Sequence, residues 1–201
     1  MIEIIFLGTG TSQGIPIIGS THPVCQSQNP KDKRLRASLA IKWNRFFFVI
    51  DCGPDFRQQM LNCGTKKLDG ILYTHEHADH TAGLDDIRPF YFRQGEINLI
   101  LTKKVLSFLR KRFDYIFESY NKYPGAPSVK VKIINKNKKF ILGNKEIIPV
   151  EVLHGQLPII GYRIDNFAYL TDVKSISNTE ILKLKNLDVL VINALRKEEH
   201  H

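Results

Sequence analysis

Cysteine is scarce in this chain: Cys25, Cys52 and Cys63 are the only three in 201 residues. An odd number without regular spacing argues against a disulfide framework. Long apolar runs are also missing. No stretch approaches the ~18 residues of a membrane span. The start, Met1-Ile2-Glu3-Ile4-Ile5, has no basic leader and enters a strand at once. Internal repeats and low-complexity tracts are absent. The glycine-rich turn Gly8-Thr9-Gly10-Thr11-Ser12 can aim backbone N–H groups at a phosphate, but it lacks the lysine of a P-loop and the third glycine of a dinucleotide fingerprint. Nucleotide-cofactor chemistry is therefore unsupported. What remains is a soluble enzyme, expected in the cytoplasm, with no membrane partner. It is expected to be one domain over 1–201, well above the size at which a core becomes marginal.

Acidic residues are thin in one place. Residues 101–145 hold 12 Lys or Arg against only Asp114 and Glu118, a surplus of +10, while the rest of the chain carries 17 basic and 18 acidic groups. Such a segment can steer an anionic substrate or touch nucleic acid. The run Lys136-Asn137-Lys138-Lys139 reads more simply as a solvated hairpin tip.

Period-2 alternation and short apolar runs predict strands at 2–7, 38–43, 46–51, 70–74, 97–101, 129–134, 139–142, 146–153, 159–164, 167–171 and 188–193. Asn44-Arg45 between Trp43 and Phe46 suits a tight hairpin. Helices are expected from Pro54-Asp55 through Met60, along the stripe Val105, Leu109, Phe113 and Phe117, and over 177–186. Two sheets covered by helices fit this inventory.

The densest chemistry is the hexapeptide His75-Glu76-His77-Ala78-Asp79-His80, directly after the apolar run 70–74. It holds three of the seven histidines. A turn at the end of a strand can aim His75 and His77 one way and Asp79 and His80 another, with Glu76 pointing away. Neutral imidazole and carboxylate are good donors for zinc and similar divalent ions, and two ions about 3.5–4 Å apart can share a hydroxide. Two further donors close apolar strands: His154 follows 147–153 and Asp172 follows 167–171. Each alone reads as an ordinary loop or turn residue; three strand ends together favour one metal site.

The sequence resembles the metallo-β-lactamase-fold hydrolases in its His-x-His-x-Asp-His motif at 75–80, the single His154 and Asp172. LGTGTSQGIP at 7–16, KDKRLRAS at 31–38, IDCGPDFR at 50–57 and GLDDIRPF at 83–90 are similar to the branch with the cyclic-phosphate phosphodiesterase of phosphonate breakdown, a relative of RNase Z. The resemblance implies a four-layer αββα sandwich of two mixed β-sheets flanked by helices. It implies that His75, His77 and His154 hold one ion, that Asp79 and His80 hold the other, and that Asp172 bridges them. Asp51 would orient a ligand imidazole. Arg36 and Ser38 would contact phosphate.

Two departures stand out. The family's further C-terminal ligand histidine, in a Thr-His-x-Ser-His-like segment, has no counterpart before His201, as if that segment were lacking. The small structural zinc site of closely spaced cysteines is reduced to His22 and Cys25, too few for a closed site. The expected activity is hydrolysis of a small or cyclic phosphodiester with two divalent ions. Zinc is the first choice, with manganese or iron as alternatives. Asp79 would orient the hydroxide and His200 would supply the leaving-group proton. An RNase Z-like nuclease and a lactone or thioester hydrolase are the alternatives. A homodimer is compatible with the sequence.

Overall fold

The computed structural model describes residues 1–118, 120 and 122–195. They divide into two compact units, residues 1–133 and the part from 134 onward.

The first unit is built on a six-stranded sheet ordered β1 (Glu3–Gly8), β2 (Ser38–Trp43), β3 (Phe46–Ile50), β4 (Gly70–Leu72), β5 (Ile97–Leu101) and β6 (Val129–Ile133). The first three strands are antiparallel and the last four run parallel to one another. Unbroken apolar runs such as Phe46-Phe47-Phe48-Val49-Ile50 suit strands covered on both faces. Asn44 takes a left-handed φ of 50°, which makes the predicted hairpin with Trp43 opposite Phe46. The helices are α1 (Pro23–Gln26), α2 (Phe56–Cys63), α3 (Ala78–Thr81), α4 (Arg88–Gln94), α5 (Lys103–Arg112) and α6 (Asp114–Phe117).

Helix α5 is capped by the Thr102 side chain and buries Val105, Leu106 and Leu109 in a core with Val49, Phe56, Ile71 and Leu99. Each such side chain contributes about 1.5–3 kcal/mol when taken out of water. The expected single apolar stripe breaks at Phe113, whose ψ of 43° ends α5 before α6 begins.

The second unit is a five-stranded sheet, in spatial order β11 (Val189–Ile192), β10 (Phe167–Leu170), β9 (Leu157–Ile164), β8 (Lys145–His154) and β7 (Phe140–Leu142). Only β10 and β11 are parallel. Val150, Val152, Ile159 and Leu170 form a core, and α7 (Asn178–Ile181) is capped by Ser177. Lys136–Lys139 is not a hairpin tip: the strands on either side of it, β6 and β7, belong to different sheets. Among the described residues no helix is long and apolar enough to cross a membrane.

Candidate metal centre

The strand expected over 70–74 stops at Leu72, because the Thr74 N–H leaves the ladder. The Tyr73 N–H still bonds to Ile100 O of the neighbouring β5 at 2.9 Å, whereas the Thr74 N–H is taken by the Asp51 side chain, at Oδ1, 2.8 Å away. Asp51 follows β3 with a left-handed φ of 64° and is fully buried. Its other oxygen accepts from Thr74 Oγ1 at 2.8 Å and from His80 Nδ1 at 2.7 Å. Burial pushes the Asp51 carboxyl up; the charge and hydrogen bond of His80 and the bonds from Thr74 oppose that rise.

This network assigns the imidazole tautomers. Thr74 Oγ1 gives its hydrogen to Asp51, so toward His75 Nδ1, 2.8 Å away, it can only accept. His75 therefore carries its proton on Nδ1 and its lone pair on Nε2. His80, donating Nδ1–H to Asp51, does the same. The His75 Nε2 lone pair faces His77 Nδ1 at 3.1 Å, and His75 and His80 bring ring nitrogens within 4.8 Å of each other. The His80 Nε2 faces Asp79 Oδ2 at 3.3 Å. A lone pair and a carboxylate at that distance call for a positive charge, whether a proton or a metal ion. Burial works against the Asp79 carboxylate, yet the hydrogen bond and charge of His80 outweigh it and hold it at about 2. The donor chemistry of His75, His77, Asp79 and His80 thus fits a divalent cation.

The ligand turn is seated tightly on the end of β3. Cys52 N–H bonds to His80 O at 2.8 Å and Gly83 N–H to Cys52 O at 2.9 Å. A Cβ at Gly53 would lie 2.0 Å from Asp79 O, and one at Gly83 would lie 2.1 Å from Gly53 O. Glycine is required at both positions by this approach. Thr81 and Glu76 are buried beneath the turn. Thr74, Thr81 and the two glycines are supporting residues that the motif reading did not single out. The stretches IDCGPDFR and GLDDIRPF contain the glycines, and that was the available signal.

In the second unit His154 ends β8, and Asp172 follows β10 with a left-handed φ of 54°. Such a backbone is uncommon at a non-glycine residue, and aspartate is among the side chains that tolerate it. Lys174 N–H and Ser175 N–H both reach Leu153 O, at 2.7 and 3.2 Å, and Asn193 Oδ1 accepts from Val173 N–H at 2.8 Å. Because β8 and β10 are each antiparallel to β9 between them, the two strands finish at the same end of their sheet.

Other sequence candidates have structural partners. Arg36 is held by Asp55 at 2.9 Å and donates Nε–H to Ser12 O at 2.7 Å. The buried Ser38 hydroxyl is directed to Ile50 O and Asp51 O, at 3.0 and 2.9 Å. His22 caps α1 by accepting from Val24 N–H, and Cys25 Sγ accepts from Ile17 N–H at 3.5 Å. The glycine turn presses against the chain at 34–36, with Gly10 N–H bonded to Leu35 O at 2.8 Å. His200 lies outside the described residues.

Comparison with known proteins agrees with this geometry. A solved diphosphatase of the PhnP family matches 100% of this chain and 77% of its own, with 38% identity and a TM-score of 0.90. An octanoyltransferase from Porphyromonas gingivalis is 42% identical over all 201 residues, which make up 40% of that protein. Ribonuclease Z of Bacillus subtilis is 26% identical over 92% of this chain and 55% of the enzyme. The chain thus spans about half the length of these two curated relatives. The β-lactamase superfamily domain matches residues 47–201. With two mixed sheets flanked by helices and the His-x-His-x-Asp-His turn at the end of β4, the chain belongs to the β-lactamase superfamily, in its PhnP branch.

Proposed function

We propose that this protein is a metal-dependent hydrolase of phosphodiester bonds, acting on a small or cyclic diester or on a diphosphate linkage. The observation that carries the reading is the pair His75 and His80, each with Nδ1–H committed to Thr74 or Asp51 and its lone pair on Nε2. Phosphorus is favoured over carbon as the centre attacked by the 38% identity to a diphosphatase along the whole chain. Each phosphorus of an internal P–O–P bond carries two substituted oxygens, as in a diester. The transferase activity of the P. gingivalis protein is not carried over, because the match covers only 40% of it.

On the family's pattern His75, His77 and His154 would hold one ion, Asp79 and His80 the second, and Asp172 both. Bound there, divalent ions, zinc in the first place, would acidify water and offset charge on the phosphoryl oxygens. Asp79, held ionised, orients the attacking oxygen. A histidine beyond Arg196, with His200 as first candidate, protonates the leaving alkoxide. The substrate is a small anion met in the cytoplasm rather than a membrane or a nucleic acid. A homodimer is part of the same proposal.

Zinc- or manganese-loaded protein should cleave bis-aryl, cyclic or dinucleoside diphosphate substrates with kcat/KM at least about tenfold above phosphomonoesters, lactones and thioesters, a margin of about 1.4 kcal/mol. His77→Ala should abolish that activity. A thioester or lactone preferred by the same margin overturns the phosphodiester assignment. Efficient trimming of a precursor tRNA would favour the nuclease reading, which the Ribonuclease Z likeness supports.

A further inference from the structure

The ligand turn touches α5 twice, at opposite ends of that helix. Glu76, between His75 and His77, is almost buried, and its Oε1 lies 2.7 Å from Lys104 Nζ. Eight residues further along α5, Arg112 Nη1 donates to Thr81 Oγ1 at 3.1 Å. Thr81 is fully buried and passes its own hydrogen to His77 O at 2.8 Å. The backbone positions of Lys104 and Arg112 lie about 12 Å apart along the helix axis at 1.5 Å per residue. Between them Val105 and Leu109 anchor α5 in the core. A rigid, core-docked helix therefore grips both ends of the six-residue turn.

We propose that α5 is a splint for the metal turn, with Lys104 and Arg112 as positioning residues. Through Glu76, and through Thr81 and the His77 carbonyl, they hold His75 and His77 in ligand geometry before an ion arrives. This rests on the metal-dependent reading above. The chemistry gives the proposal a distinctive sign. Lys104 is a positive charge near the cation site, so a purely coulombic role would make its loss tighten metal binding. Loss of a splint does the reverse: the Glu76 carboxylate, left buried without its partner, must move toward water and take the turn with it.

The test is zinc affinity of the full chain, by competition with a chromophoric chelator, together with melting of the metal-free protein. K104M and T81V should each bind zinc roughly 10-fold more weakly, the scale seen when support behind a ligand is removed. K104R and T81S should recover affinity to within about twofold of wild type, because each conserves the bond in question. The E76Q/K104M double variant should lose no more than the worse single change, since both remove the same tie. Unchanged or tighter zinc binding in K104M and T81V, with the wild type binding normally, overturns the splint alone. Additive losses in the double variant also overturn it. A wild type that binds no zinc, manganese or iron overturns the metal reading and the splint with it.

Discussion

Replacing Asp51 by asparagine alters one buried atom and should disable two ligands. The carboxylate accepts three hydrogen bonds: from Thr74 N–H, from Thr74 Oγ1 and from His80 Nδ1. An amide in the same place keeps an acceptor for Thr74 N–H but turns an NH2 toward the other two. His80 then has to accept at Nδ1 and move its proton to Nε2. Thr74 Oγ1 becomes an acceptor from the amide and redirects its hydrogen to His75 Nδ1, which forces the same exchange on His75. Both imidazoles end with a proton where a ligand needs a lone pair. One support residue is worth roughly 10-fold to 100-fold in metal affinity. Two ligands compromised together put the expectation at about 100-fold, or about 2.7 kcal/mol.

Stability of the metal-free protein should change far less, by about 1 kcal/mol, because a neutral amide escapes the desolvation that burdens the buried carboxylate. The measurements are zinc affinity by chelator competition, melting of the metal-free form, and nitrogen NMR of the two imidazoles, which reads the tautomer directly. Zinc affinity within about threefold of wild type, or retention of Nδ1–H on both rings in Asp51→Asn, refutes the reasoning.

Gly83→Ala places a methyl 2.1 Å from the Gly53 carbonyl, backbone against backbone, so the ligand turn must lift off β3. The expected cost is about 3 kcal/mol, seen as a fall in Tm of roughly 6–12 °C; a fall under about 2 °C would show that the turn tolerates displacement. Asp85 tests the charge network under α4. Burial alone would raise its carboxyl, but hydrogen bonds from Arg88 and Tyr115 and the charge of Arg88 hold it below the usual range. A lowered folded pKa means stability present above the unfolded value, about 3.9, and lost as pH falls through the folded one. The Tm gap between wild type and Asp85→Asn should therefore be full near neutrality, shrink below about pH 4 and close on further acidification. A gap independent of pH refutes this.

The strands were readable because their signal is local. All eleven expected strands are present, with no end displaced by more than two residues. At β4 the displacement has a functional cause: the Thr74 N–H leaves the ladder for a side chain 23 positions earlier in the sequence. No window around 70–74 contains that bond. Helix α4 escaped notice because Pro89 and the run Phe90-Tyr91-Phe92 look like a breaker and a strand, whereas Pro89 sits in the first turn, where no backbone donor is lost. The break at Phe113 was hidden for the opposite reason. Phe113 and Phe117 still pack on the core on either side of the kink, so the apolar period continues although the helix does not.

For the site the division follows the same physics. His75, His77, Asp79 and His80 declare themselves by spacing, and Asp51 by its place at a strand end. The basic segment reads differently once its partners are in view. Lys104 and Arg112 face the ligand turn, Lys122 bonds to Ile116 O and Ser128 Oγ, and Lys136, Lys139 and Lys145 pair with Glu151, Glu146 and Asp165. Half of the twelve cations of 101–145 are thus tied to particular groups. Charge counting cannot separate a lysine that steers a substrate from one that neutralises a buried glutamate, because the two differ only in tertiary approach. Lys104 makes the point: by sequence it is one of a +10 cluster, by structure it is the counter-charge to the residue between two ligands. Its removal should therefore be read first in metal affinity, and substrate KM should follow only as far as the ion is lost.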